Sequence, residues 1–324
     1  MENDLDGLLN RTPNYETDMG RAHAGDSREL LDELPDNSIN LVMTSPPFAL
    51  QRKKDYGNKN QNEYNDWFME FAEKVQRVLT EDGSFVIDIG GGWKKGKPVR
   101  SPYHFKLLIE LAGEDDSPFH FAQDFYWYNP AKLPTPAQWV TIEKIRATDA
   151  INHVWWLSKN ERPKADTQNV LQEYSDRQEE LMEEGYESFG VDKKDRPSGH
   201  QISDQFDNDN DGSLPDNLLE IANTQSNTKY LRACRELDQD SHPARFPSQL
   251  PEFFIKFLTE PGDIVLDIFA GSNTTGQVAE RLGRRWLAFE RDEEYVENSK
   301  LRFTDIERLQ KDEDQMELGD ISPE

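Results

Sequence analysis

Five consecutive residues, Thr44-Ser45-Pro46-Pro47-Phe48, carry the groups needed to hold a flat nitrogen base by its exocyclic amine. The two prolines fix φ and offer no backbone N–H, so the local polar surface is one of acceptors: the Ser45 hydroxyl and the carbonyls around Pro46. An amino group has two hydrogens to give to such a wall, and Phe48 supplies a ring face on which a planar heterocycle can stack. An ordinary Pro-Pro loop after a strand has the same composition, so this motif needs a second one to give it meaning.

That second motif is Asp267-Ile268-Phe269-Ala270-Gly271-Ser272-Asn273-Thr274-Thr275-Gly276. Glycine lets the backbone approach a ligand closely, and the short polar side chains stand just before a helical pattern that runs from Gln277. Such a site suits a carboxylate or a phosphate. The next apolar run, Arg285-Trp286-Leu287-Ala288-Phe289, ends in Glu290, the placement expected of an acid that accepts from both hydroxyls of a ribose. A nucleoside cofactor is expected. With only Gly271 and Gly276 in the loop, a dinucleotide fingerprint is incomplete, which weighs against a nicotinamide-dependent dehydrogenase.

Both motifs require a scaffold that presents loops at strand ends. Apolar runs at 39–43, 85–89, 121–128 and 153–157 read as strands in the first half of the chain, and 264–268 and 285–289 as strands in the second. Residues 63–79 place Trp67, Phe68, Phe71, Val75 and Val78 at helical spacing, and Asp26-Ser27 reads as the N-cap of a helix over 28–34. Strands alternating with helices predict an α/β fold with ligands at the carboxyl ends of its strands.

The order of the motifs, Ser-Pro-Pro-Phe first and the glycine-containing loop second, resembles the beta group of amino-methylating DNA methyltransferases. The resemblance spans residues 25–303 and rests also on 43–57 (MTSPPFALQRKKDYG), 83–91 (GSFVIDIGG), 124–134 (DFYWYNPAKLP), Arg196-Pro197-Ser198-Gly199-His200 and 242–255 (HPARFPSQLPEFFI). It implies a permuted, Rossmann-like methyltransferase fold that uses S-adenosyl-L-methionine: a central, mostly parallel sheet with flanking helices, plus a smaller target-recognition region. The catalytic group it implies is Ser45, Pro46, Pro47, Phe48 and Asp88, acting on the N4 amine of a cytosine swung out of duplex DNA. Asp88 on its own also reads as a turn aspartate before Gly90-Gly91-Gly92. The cofactor group implied is Asp26 near the adenine, Phe269 and Gly271 along the cofactor, Asn273, Thr274 and Thr275 at its methionine end, and Glu290 at its ribose; Asp267 either reaches the methionine amine or simply closes its strand. Serine at the first motif position favours cytosine N4, since the adenine-N6 relatives usually carry Asp or Asn there; adenine N6 is the alternative. Cys234 lies in Arg-Ala-Cys-Arg, without the Pro-Cys context of a cytosine-C5 nucleophile, and reads as a packing residue.

A DNA substrate must be reconciled with a formal charge of −26, from 63 acidic and 37 basic residues. Phosphates repel such a chain unless salt screens the repulsion, so the composition, with 35% hydrophobic residues, suggests a halophilic protein. The candidate DNA contacts are Arg52, Lys53, Lys54, Lys94, Lys95, Arg196 and His200; clusters of this kind also occur as solvated surface runs. The single cysteine excludes an internal disulfide, and the six histidines show no metal-ligand spacing, so no metal is expected. No apolar run is long enough for a bilayer and the N-terminus lacks a signal pattern, giving a cytoplasmic expectation without membrane contact. The expected plan is a mobile N-terminus (1–20), a catalytic half (21–162), a polar target-recognition region (163–241), a cofactor half (242–305) and an acidic tail (306–324). Residues 196–200 and 213–219 resemble their counterparts in a CAGCTG-modifying enzyme, so a modification role beside a cognate restriction endonuclease is expected. A catalytically silent DNA-binding module is the remaining class.

Overall fold

The computed structural model describes residue 5 and residues 7–49, 63–113, 115–176, 179–180, 211–224 and 228–304. The candidate contacts Arg52, Lys53, Lys54, Arg196 and His200 lie outside them.

Among the described residues a nine-stranded sheet organises the larger of two compact units, Met1–Ala165 with Asn217–Glu324. Its strands are β1 (Tyr15–Glu16), β2 (Gly20–Ala24), β3 (Ile39–Thr44), β4 (Leu79–Ile89), β7 (His120–Tyr128), β8 (Ile151–Ser158), β9 (Leu218–Glu220), β10 (Ile264–Asp267) and β11 (Arg285–Glu290). They lie in the order β1-β2-β11-β10-β3-β4-β8-β7-β9, with β2, β11, β10, β3 and β4 mutually parallel and β8 antiparallel to both β4 and β7. A separate hairpin pairs β5 (Gly92–Trp93) with β6 (Arg100–Ser101). This is the mostly parallel α/β sheet expected, with its permuted strand order.

The central strands are apolar because both of their faces are covered: Leu41, Val42, Met43, Val265 and Leu266 are all buried. Helix α1 (Ser27–Glu33) starts at Asp26, whose carboxylate caps the Arg28 N–H, as read from the sequence. Helix α2 (Tyr64–Val78) buries Tyr64, Phe68, Phe71, Val75 and Val78 against the sheet, with Phe68 stacked at 6.3 Å on Phe85 of β4. Then come α3 (Tyr103–Ala112), α4 (Lys229–Glu236), α5 (Gln249–Leu258), α6 (Thr274–Arg281) and α7 (Glu293–Ser299). Helix α6 begins three residues ahead of the sequence pattern, because Asn273, not a residue nearer Gln277, provides its N-cap.

The chain leaves β10 through α6 toward β11 and leaves β3 through α2 toward β4. These connections depart in opposite directions from two adjacent strands, which opens a crevice at their carboxyl ends. Both sequence motifs sit there. The second compact unit, Asp166–Asp216, holds a 3-10 turn at Thr167–Val170 and a two-way backbone bridge between Gln172 and Ser213. The stretch 217–241 clusters with the larger unit: β9 pairs parallel with β7, and Tyr230, Ala233 and Cys234 of α4 are buried. No helix among the described residues is long and apolar enough to cross a membrane.

Candidate active site

Thr44 ends β3 and Asp267 ends β10, and the Thr44 hydroxyl donates to Asp267 Oδ1 at 2.6 Å, tying the two motifs together at the crevice floor. The same carboxylate accepts from the Thr275 hydroxyl at 2.6 Å and the Phe269 N–H at 3.1 Å. Asp267 is 2% exposed; burial pushes its pKa up to about 6, while these three donors hold it down. Its oxygens are therefore engaged inside the protein, and Asp267 does not line the crevice.

The crevice is a cavity of 410 Å³, within the range of ligand sites. Its walls include Ser45, Pro46, Pro47, Phe48 and Asp88 from the first motif and its strand partner, and Asp26, Phe269, Gly271, Thr274 and Glu290 from the cofactor group. Ten of the sequence-derived site residues thus meet around one space. Asn273 and Thr275 do not line it. Asn273, 1% exposed with φ 54°, caps α6 through Gly276 N–H at 3.0 Å and donates to the Tyr15 hydroxyl at 2.9 Å; the Thr275 hydroxyl is engaged by Asp267. Lys94 and Lys95 are exposed on the turn of the β5–β6 hairpin and do not reach the cavity.

At the catalytic end the Ser45 hydroxyl donates to Asp88 Oδ2 at 2.9 Å, and the Asn152 amide donates to Oδ1 at 3.0 Å. The serine proton is committed to the carboxylate, which leaves the serine oxygen's lone pairs as acceptors. Asp88 is 2% exposed, and burial raises its pKa to about 6 against the pull of Asn152, Ser45 and the Lys132 charge. It is ionised at neutral pH yet more basic than an ordinary carboxylate. Phe48 stands where a Cβ on Gly90 would come within 2.6 Å of its ring, so only glycine leaves room for it. The Tyr103 hydroxyl in turn holds the Gly90 carbonyl.

At the cofactor end Trp67, Phe71 and Phe269 pack as an apolar wall, with Phe269 at 5.7 and 5.0 Å from the other two rings. Gly271 has φ 51°, and a Cβ there would lie 3.1 Å from the His242 ring. Its N–H donates to Glu290 Oε2 at 2.8 Å, while Oε1 takes the Asp292 N–H at 3.0 Å. Each Glu290 oxygen is thereby aimed and keeps one lone pair for a ligand hydroxyl. Asp26 is held by the Arg28 guanidinium through both carboxylate oxygens, which lowers its pKa. An aromatic wall, an aimed acid and a glycine whose backbone a ligand can approach suit a nucleoside that ends in an amino acid.

The sequence pointed to neither Asn152 nor Lys132. Asn152 lies 64 residues from Asp88, and only the antiparallel register, with Asp88 opposite Val154, brings it near. Lys132 stands within 124–134, one of the stretches that carry the family resemblance, with nothing there to single it out.

The DNA methylase family model N6_N4_Mtase matches residues 39–301. The chain is 55% identical over 295 residues to the type II methyltransferase M.PvuII of Proteus hauseri, covering 91% of this chain and 87% of that one. The solved PvuII DNA methyltransferase (cytosine-N4-specific) superposes with a TM-score of 0.74 at 48% identity, over 92% of this chain and 90% of that chain. The fold is shared also with a Thermus thermophilus protein solved in complex with S-adenosyl-L-methionine, at a TM-score of 0.50 and 23% identity over 88% and 93% of the two chains.

Proposed function

This chain belongs to the N6/N4 DNA methylase family, and on that premise we propose that it modifies the N4 amine of a cytosine flipped out of a CAGCTG site, as the modification enzyme of a restriction-modification system. It is a cytosine-N4-specific DNA methyltransferase, and S-adenosyl-L-methionine is its cofactor. The observation that carries the proposed chemistry is the Ser45 to Asp88 hydrogen bond opening into the cavity that the cofactor loop shares.

When bound, S-adenosylmethionine supplies an electrophilic methyl group on a sulfonium. The protein's task is to make a poor nucleophile attack it. Cytosine N4 is flat because its lone pair is delocalised into the ring. Ser45 Oγ and the Pro46 carbonyl would accept its two hydrogens, which favours a tetrahedral nitrogen whose lone pair points along the line of transfer. Phe48 would stack on the ring and hold it. After transfer the nitrogen carries a surplus proton, and Ser45 can pass one to Asp88 as its own hydroxyl takes up the proton from nitrogen. A carboxylate with a pKa near 6 suits that role better than one near 4. Asn152 keeps Asp88 pointed at the serine.

On the cofactor side Glu290 would hold the ribose, Asp26 the adenine end, and Gly271, Ser272 and Thr274 the amino-acid end, with Asp267, Asn273 and Thr275 shaping the loop behind them. Residues 163–241 would read the target, and double-stranded DNA would meet Lys94, Lys95 and the candidate contacts of 52–54, 196 and 200. With a formal charge of −26, duplex binding would need screening by concentrated salt, which supports a halophilic enzyme. Sequencing DNA from a host expressing this chain, by a method that reads modified bases, should find N4-methylcytosine at CAGCTG. N6-methyladenine alone would overturn the assignment of the amine.

A further inference from the structure

Behind the cofactor loop stands a guanidinium whose hydrogen-bond partners among the described residues are all neutral. Arg302, in the 3-10 turn Lys300–Arg302, reaches back 30 residues to Ser272. Its Nε donates to the Ser272 carbonyl, and one terminal nitrogen donates to Ser272 Oγ at 2.8 Å and Thr274 Oγ1 at 2.9 Å. The other donates to Gln277 Oε1 at 3.1 Å. The Tyr230 ring covers its face at 4.4 Å. Every one of these partners is neutral, and among the described residues no carboxylate bonds to it. Burial lowers its pKa to about 10, so it stays a cation at neutral pH.

Arg302 is half-buried, and a cation partly withdrawn from water is normally compensated by an anion. The side chains that hold Arg302, Ser272 and Thr274, themselves line the cavity, and they stand at the start of α6, whose dipole adds positive potential. Among the described residues the open side of that wall is the cavity, where the anion of a ligand would supply the counter-charge. We propose that Arg302 is a positioning residue that makes the site selective for the carboxylate of its cofactor, acting through Ser272 and Thr274 and not by direct contact. It holds the loop in shape and supplies the counter-charge. This rests on the reading of the cavity as the S-adenosylmethionine site.

The test compares two probes that share the nucleoside and the sulfonium and differ only in the carboxylate: S-adenosylmethionine and its decarboxylated analogue. Their dissociation constants are measured by calorimetry on the full chain in concentrated salt. The wild type should prefer the carboxylate-bearing probe by about tenfold or more. In Arg302→Gln that ratio should fall toward one, mainly through loss of affinity for S-adenosylmethionine, and Arg302→Lys should restore most of it. A variant that weakens both probes equally, leaving the ratio unchanged, would show a purely structural role and overturn the proposal. A wild-type ratio near one would overturn it as well, whether or not Arg302→Gln folds. Failure of the wild type to bind either probe would instead strike at the cofactor reading itself.

Discussion

The two halves of the cavity solve opposite problems with similar residues. At the end of β10 the polar side chains of the motif turn inward: Asp267 takes three donors, Thr275 serves Asp267, and Asn273 caps its own helix. At the end of β3 and β4 the polar chain runs outward, from Asn152 through Asp88 to Ser45 and so to the open cavity. The cofactor half is a scaffold that presents backbone and a few aimed groups to its ligand. The catalytic half is a relay with one free end. A motif can therefore mark a ligand site even where few of its side chains touch the ligand.

The sharpest way to break this contrast is to interrupt the relay. Ser45→Ala or Asp88→Asn should lower the methylation rate at saturating cofactor and DNA by about 10² to 10⁴-fold while leaving S-adenosylmethionine affinity within about twofold. Unchanged turnover in Ser45→Ala would remove that residue from the chemistry. Interrupting the scaffold should look different. Asp267→Ala orphans the Thr44 and Thr275 hydroxyls and the Phe269 N–H in a buried setting, at about 3 to 5 kcal/mol of stability. Denaturant unfolding should show that loss, with cofactor affinity falling alongside. A stable Asp267→Ala protein with normal cofactor binding would mean the strand ends are held together by other means.

Titration distinguishes the halves more finely. Asp88 is the base of the relay with a pKa near 6, so the rate should rise about tenfold per pH unit up to pH 6 and then level off, and the small residual rate of Asp88→Asn should lack that rise. Stability should run the other way. Both Asp88 and Asp267 have pKa values raised from 3.8 to about 6, so each favours the folded state fully below pH 3.8 and loses that contribution as pH rises through 6. Comparing pH–stability curves of the wild type and Asp88→Asn isolates one such contribution: the wild type should lose stability relative to the variant between about pH 4 and 6. Parallel curves would mean that Asp88 is not buried in the way its setting requires.

What could be read from the chain follows the same division. The strands at 39–43, 85–89 and 285–289, the helix over 63–79 and the acid Glu290 were legible because local patterning dictates them: continuous apolar runs for strands covered on both faces, helical spacing for α2. The convergence of Ser45 and Phe269 followed from motif order through the family resemblance. What local patterning cannot give is register and long-range pairing. Asn152 meets Asp88 only because β8 runs antiparallel to β4, and Arg302 meets Ser272 only after the chain has turned back beyond α7. The inward turn of Asp267, Asn273 and Thr275 was hidden for the same reason, since their composition alone suits ligand contact equally well. The strand β9 was obscured by composition: three residues completing a sheet edge do not break a polar stretch.

The mildest test asks whether the free end of the relay is shaped as tightly as the scaffold opposite. Phe48 occupies the space a Cβ on Gly90 would need, with 2.6 Å between that atom and the ring. Gly90→Ala must therefore move the ring or the loop, because the Tyr103 hydroxyl pins the Gly90 carbonyl and limits how far the backbone can yield. Stacking contributes about 1 to 3 kcal/mol per base, so losing part of it should raise the KM for DNA by roughly three- to tenfold. The Ser45 to Asp88 bond does not pass through Phe48, so kcat should fall by less than KM rises. Cofactor affinity should stay unchanged, since Gly90 and Phe48 lie on the catalytic side. A loss confined to kcat would instead mean that Phe48 positions Ser45, and that the ring belongs to the relay more than to the base.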